Sequence, residues 1–251
     1  RRNQILNILG EKGAVTVNHL HRQLKVSQET IRRDITKLAS DNRLLKTHGG
    51  ALLMDVVEPE FEARLEVNSE GKKAIGIAAA ELVGDGTSLI IDSGTTTLCL
   101  AEALIPRVSL TVFTNDLHVA GKLAGRNNNR VHLLGGEMIG NEGATAGLDT
   151  NTMLQNYLTD FSFIGASALD ASTLLTDYSR EIAELRGQML SQAKVSVLLA
   201  DYTKFAKRAP VRVNHMDKLS YMVCDEKPPM AIAESIANLD AELIIAKPVS
   251  N

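Results

Sequence analysis

Asp92-Ser93-Gly94-Thr95-Thr96-Thr97 sets a carboxylate, four hydroxyls and a glycine directly behind the apolar run Ser88-Leu89-Ile90-Ile91. Small hydroxyl residues opening a helix behind a buried strand make an anion cradle. Backbone N–H groups, hydroxyls and the positive end of the helix dipole all point at one place. A plain Ser/Thr helix cap is the alternative, but it needs one hydroxyl, whereas three threonines and Gly94 stand here, so a phosphate site is the favoured reading. Thr114-Asn115-Asp116, Gly135-Gly136-Glu137 and Gly165-Ala166-Ser167 follow later apolar runs. Each is an ordinary turn composition; at consecutive strand ends they would rim a pocket for a small polar anion. Asp201-Tyr202-Thr203-Lys204-Phe205 and nearby Arg208 add the ligand cations Lys204 and Arg208. Asp177, Arg180 and Glu181 could meet ligand hydroxyls, with a charged helix start as the alternative. No histidine has metal-ligand spacing with Cys or acids, so neither a metal nor a cofactor is expected.

A second cluster is cationic. Gln28, Arg32, Arg33, Thr36 and Lys37 lie mostly off the face defined by Ile31, Ile35 and Leu38, which recur at i, i+4 and i+7. Ser27 is a good N-cap and Glu29 suits the positive end of the dipole. The bend Leu24-Lys25-Val26-Ser27 leaves room for a preceding helix with Val17, Leu20 and Leu24 on one side. Two short amphipathic helices with the second basic outward describe a helix-turn-helix, though an ordinary surface helix pair gives a similar pattern. Arg43-Leu44-Leu45-Lys46-Thr47, a Gly49-Gly50 reversal and Ala51-Leu52-Leu53 read as a hairpin wing with His48 at its tip, and 15–17 as a third short strand. Gln28, Thr30, Arg32 and Arg33 are then the candidates for base edges or flanking phosphates. Lys37 and Arg43 would position the duplex, Lys46 and His48 would touch its backbone or minor groove, and Ser27, the cap, completes the DNA-binding set.

Charge follows the same division. Residues 1–52 hold ten Lys or Arg against four acids, a net of +6, so a whole-chain charge of −3 leaves −9 for the rest. A basic head on an acidic body is expected when only the head meets a polyanion. With 251 residues and 44% hydrophobic composition the chain can build two cores. No run approaches the roughly 20 apolar residues of a membrane span, and no signal peptide opens it. Two cysteines, Cys99 and Cys224, read as buried thiols in a reducing cytoplasm. A first helix carries Ile5, Ile8 and Leu9. Residues 1–54 form the winged helix-turn-helix, 55–69, with Pro59 and little periodicity, a linker, and 70–251 an α/β domain. In that domain a helix buries Ile75, Ala78, Ala79 and Leu82. The apolar runs 88–92, 110–113, 131–134, 161–164, 195–199, 221–224 and 243–245 then alternate with helices, as in a largely parallel sheet covered on both faces.

These residues, in this order, resemble the DeoR family of bacterial sugar-metabolism repressors from end to end. The matches are Val26-Ser27-Gln28-Glu29-Thr30-Ile31-Arg32-Arg33-Asp34, the wing His48-Gly49-Gly50-Ala51, Asp92 through Thr97, Thr114-Asn115, Gly135-Gly136 and Asp201 through Phe205. The resemblance implies an N-terminal winged helix-turn-helix and a C-terminal sensor similar to the ribose-5-phosphate isomerase and CoA-transferase fold. It implies operator DNA as partner, a homodimer or homotetramer, and release from DNA by a phosphorylated sugar or related intermediate. Members often carry Gly-Ile-Asp and Glu-Val-Lys stretches; here they read Ala168-Leu169-Asp170 and Glu184-Leu185-Arg186. Arg and Lys differ at an anion site, which leaves a sugar acid open as effector. The alternative from another class is a sugar-phosphate isomerase or CoA transferase with a DNA-binding appendage. That chemistry needs a poised carboxylate with supporting acids, and Asp170 alone is offered, so the chain is read as a regulator and not an enzyme.

Overall fold

The computed structural model describes residues 1–12, 14–40, 43–47, 49–52 and 58–248. The chain divides into two compact units, Arg1–Pro59 and Glu60–Asn251.

The first unit runs α1 (Arg2–Lys12), β1 (Ala14–Thr16), α2 (Val17–Leu24), α3 (Gln28–Ser40), β2 (Leu45–Thr47) and β3 (Gly50–Leu52). Ile31, Ile35 and Leu38, the face expected from their spacing, are no more than 2% exposed and pack with Ile5, Leu9, Leu20 and Leu44. The Thr16 hydroxyl caps α2 by accepting from His19 N–H at 3.1 Å. Lys25 in the left-handed region (φ 52°) makes the tight bend, and the Ser27 hydroxyl accepts from Thr30 N–H at 3.2 Å. The three strands form an antiparallel sheet in the order β1-β3-β2. A Cβ on Gly50 would stand 1.9 Å from the Val15 carbonyl oxygen, so the closing strand needs glycine there. The proposed wing tip, His48, lies outside the described residues, as do 53–57.

Asp34, an acid inside the basic helix, is buried and pairs with Arg1 and, at 3.1 Å, with Arg2. The Arg1 bond holds its carboxyl below the ordinary range, against burial, with Arg2 helping. A lowered folded-state pKa means the pairing stabilises above the unfolded value of about 3.9 and is lost as pH falls through the folded one. Asp34→Asn should lower the head's unfolding free energy by about 1–2 kcal/mol at pH 7, since Arg1 and Arg2 are half exposed. The gap to wild type should close as pH falls below about 4, and urea titrations at pH 7 and 3 check this.

The second unit begins with α4 (Phe61–Glu66) and α5 (Ser69–Ala80). There follow β4 (Ser88–Ile91), α6 (Thr95–Ala103), β5 (Thr111–Thr114), α7 (Leu117–Leu123), β6 (Arg130–Leu133), β7 (Glu137–Met138), β8 (Thr145–Ala146) and α8 (Leu148–Leu154). The chain continues with β9 (Thr159–Gly165), β10 (Ala168–Asp170), β11 (Leu174–Asp177), α9 (Arg180–Ser191), β12 (Ala193–Leu199), β13 (Val211–Arg212), β14 (Leu219–Cys224), α10 (Met230–Ala237) and β15 (Glu242–Ile245). Each of the seven apolar runs supplies one strand of a seven-stranded, wholly parallel sheet in the order β15-β14-β12-β9-β4-β5-β6. Alternate strand residues face opposite sides. Ile90, Ile164, Leu198 and Met222 enter one core, while Ile91, Phe163, Val197 and Val223 enter the other.

Two things differ from the sequence reading. The antiparallel sheet β10-β11-β13 and the hairpin β7-β8 were not anticipated, because strands of two to four residues show no measurable alternation. The stretch read as an irregular linker is partly helical: α4 buries Phe61, which stacks on His118 with ring centroids 4.7 Å apart. Fewer than two helical turns cannot display a period, and its partner is remote in sequence. Of the thiols, Cys224 is buried and Cys99 half-buried; burial pushes them up to about 12 and about 11.

Candidate functional site

On α3, Arg32, Arg33, Thr36 and Lys37 are exposed opposite the buried face. Arg33 reaches Glu29 at 3.5 Å, a solvent-exposed pair that competes weakly with any other partner. Gln28 is half-buried and donates to Asn18 Oδ1 at 2.7 Å, which fastens α3 to α2. The Ser27 and Thr30 hydroxyls bond each other at 2.9 Å. These three are therefore partly engaged in holding the turn, whereas the cations are presented. Lys46 donates to the Thr36 hydroxyl at 3.0 Å, joining β2 to α3, and Arg43 is exposed.

In the larger unit the site is built on the carboxyl ends of the parallel strands. Gly94, at φ 136°, turns β4 into α6. The N–H groups of Thr95, Thr96 and Thr97 open the helix and have no intrahelical acceptor. The Thr97 hydroxyl donates to the Gly94 carbonyl at 2.9 Å, which spends its one hydrogen inside the turn. Gly94 N–H is also taken, by Asp116 Oδ2 at 3.2 Å. What remains of the predicted cradle is Ser93, the first-turn amides and the Thr95 and Thr96 side chains. Asn115 is wholly buried and donates to the Thr145 carbonyl at 2.8 Å. That bond fixes its amide, leaving Oδ1 as a buried acceptor without a protein donor. Thr114 accepts from Asp116 N–H at 3.1 Å. Asp116 caps α7 by accepting from His118 and Val119 N–H at 2.6 and 3.0 Å, and burial pushes its carboxyl up.

The central finding is Arg186. From α9 it donates through Nε to Asp92 at 2.7 Å and through Nη1 to Ser167 at 2.9 Å and to Asp177, all buried. Asp92 also accepts from Gly165 N–H at 3.0 Å, which leaves its Oδ1 buried without a protein donor. Asp92 is thus the anchor of a buried ion triad that locks the ends of β4, β9 and β11, not simply a wall of an anion pocket. The basic residue in Glu184-Leu185-Arg186 was noticed in the sequence as a departure; its two carboxylate partners were not.

Gly135 and Gly136 turn β6 toward the hairpin. The Gly135 carbonyl accepts from Thr150 at 2.7 Å, and a Cβ on Gly136 would meet the Thr150 hydroxyl at 2.2 Å. Lys204, in the 3-10 turn after β12, stands at the strand ends. Three expected site residues are engaged by other protein groups. Asp170 is at the outer end of β10, three residues (about 10 Å of strand) beyond Ser167. Burial raises its carboxyl, but bonds from Ser172 and Thr173 outweigh this and hold it at about 2. Arg208 faces Asp170 at 3.7 Å. Glu181 is exposed and accepts from the Ser179 hydroxyl at 2.8 Å, as part of the cap of α9. Short polar side chains near an acid satisfy it locally, which composition alone does not reveal. Lys72 was missed: it is 3% exposed, and its ammonium donates to the Arg64 carbonyl at the end of α4. Its place three and seven residues before Ile75 and Ala79, on the apolar stripe of α5, was the available signal. Among the described residues no group of three or more His, Cys, Asp or Glu side chains is placed to hold a metal ion, and no helix is long and apolar enough to cross a membrane.

Comparison with known proteins matches the family described as "DeoR C terminal sensor domain" to residues 67–226 and the "DeoR-like helix-turn-helix domain" to residues 1–57. The chain is 29% identical to the glycerol-3-phosphate regulon repressor of Escherichia coli K12 over 97% of both chains. It is 29% identical to the transcriptional repressor GlcR of Bacillus subtilis, covering 97% of this chain and 94% of that one. It is 31% identical to the uncharacterized regulator YgbI of Escherichia coli, covering 98% and 97%. Among solved structures, ribose 5-phosphate isomerase A of Methanocaldococcus jannaschii aligns with 55% of this chain and 54% of its own at 19% identity, TM-score 0.40.

Proposed function

We propose, from the premise that this chain belongs to the DeoR family of transcriptional regulators, that it is a repressor of a carbohydrate catabolic operon released from its operator by a phosphorylated sugar or a related intermediate. The observation that carries the reading is the exposed cationic face of α3, opposite a fully buried apolar one, in a chain whose family pairs that head with a sensor domain. The relative named for the glycerol-3-phosphate regulon supports a phosphorylated catabolic intermediate. The open first turn of α6, with Ser93, Thr95 and Thr96, supports an anionic group on the effector. Arg186 holds Asp92 beneath it. The enzyme alternative is disfavoured, because the one acid it required, Asp170, is committed to Ser172 and Thr173.

A homodimer on two half-sites about one helical turn apart, or a homotetramer, would supply selectivity a single small head lacks. Arg32→Ala should weaken operator binding by about 1–3 kcal/mol and relax preference at one base pair. Lys46→Ala should weaken all sequences alike and reduce the salt slope by about one. Fluorescence anisotropy on operator and scrambled duplex across a salt series separates the two, and equal losses on both duplexes from Arg32→Ala would contradict base reading. A mobility-shift assay on the protein's own upstream DNA with a panel of sugar phosphates tests the whole proposal. No preference for that DNA over scrambled duplex would overturn it.

A further inference from the structure

α5 and α6 flank β4 in sequence, and both start at the carboxyl edge of the sheet. They cross closely: a Cβ on Gly76 would stand 2.6 Å from the Cys99 carbonyl carbon. Lys72 lies four residues before Gly76, and Thr95 four before Cys99. One helical turn above the crossing, the two first turns therefore stand side by side. Lys72 is buried there among Asp201, Lys204, Cys99 and Arg64, and burial lowers its pKa.

Its hydrogen bonding is incomplete. An ammonium has three donors, and the acceptor seen for Lys72 among the described residues is the Arg64 backbone carbonyl, with no carboxylate of those residues bonded. Asp201, wholly buried nearby, keeps Oδ2 without a protein donor, its other oxygen accepting from Thr203. A buried cation with spare donors and a buried carboxylate with a spare acceptor thus lie within electrostatic reach of each other. Lys72 is also what holds the end of α4. The rest of that helix is held by Phe61 on His118 and by Arg64 with Glu142, on the loop between β7 and β8. α4 is the first element of the larger unit, whose boundary is Pro59/Glu60.

We propose that Lys72 is an effector-binding residue and the switch of the sensor: its ammonium leaves the Arg64 carbonyl for the anionic group seated at the first turn of α6, and α4 loses its C-terminal tether. This rests on the anion-cradle reading above. A helix end deprived of its bond should fray, so effector binding is read out as loosening of α4.

The test uses the full chain and inorganic phosphate as probe, with binding followed by calorimetry and α4 by hydrogen exchange. Phosphate should raise exchange across residues 61–66 in the wild type. Lys72→Met should exchange fast there without phosphate, show no further change on adding it, and bind it at least about tenfold more weakly. Lys72→Arg, which keeps the charge, should recover part of the affinity. Equal phosphate affinity in wild type and Lys72→Met overturns the proposal and leaves the cradle standing. Unchanged α4 exchange in phosphate-saturated wild type overturns the switch. A wild type indifferent to phosphate fells the cradle reading and this proposal with it. Should Lys72→Met not fold, the wild-type exchange response decides alone.

Discussion

Arg186→Leu should cost the sensor unit about 3–5 kcal/mol, because it strands two buried carboxylates. Asp92 is wholly buried and Asp177 is 2% exposed, so neither can turn to water for a replacement partner. The loss concerns more than attraction. Arg186 reaches Asp92, Asp177 and Ser167 at once, and without it the two acids repel across a low-dielectric gap. Guanidinium unfolding of the sensor checks the size. Adding Asp92→Asn and Asp177→Asn to Arg186→Met should restore more than half of the loss, since the desolvated charges are then gone. A triple variant as unstable as Arg186→Leu would show that the side chain matters by packing and not by charge.

Ile35→Ala should cost the head about 2–5 kcal/mol. Ile35 is 1% exposed within the apolar cluster that the described residues of that unit form. A unit of this size has a total stability of only about 3–9 kcal/mol at the usual per-residue value, so one methyl-rich side chain decides whether it is folded at 37 °C. Operator binding should disappear although no DNA-facing residue has changed. The sensor has its own two cores, and its amides should keep their hydrogen-exchange protection while those of the head lose theirs. Loss of protection in both units together would mean that the two unfold as one.

Much of this architecture was legible as periodicity. Ile31, Ile35 and Leu38 declare a helix face by spacing alone, and seven apolar runs declare seven strands, because side-chain direction in a helix or strand is a local property of the backbone. The charge split between residues 1–52 and the remainder is likewise arithmetic, and the hydroxyl-rich turn at Ser93 to Thr97 followed from its position behind a strand. Which polar groups are free for a ligand was not legible. Thr97 and Asp170 look like site residues by type, yet both are consumed by neighbours a few positions away. Lys72 and Arg186 look like ordinary helix charges, yet packing buries them. The sequence by itself determined the elements, the head's basic face and the edge of the sheet where a ligand would sit. Tertiary structure alone decided that Asp92 and Arg186, distant in the chain, share a bond, and that α4 is tied down by Lys72. Burial is what gives a charge a large energetic role, and burial arises only when remote segments close over it.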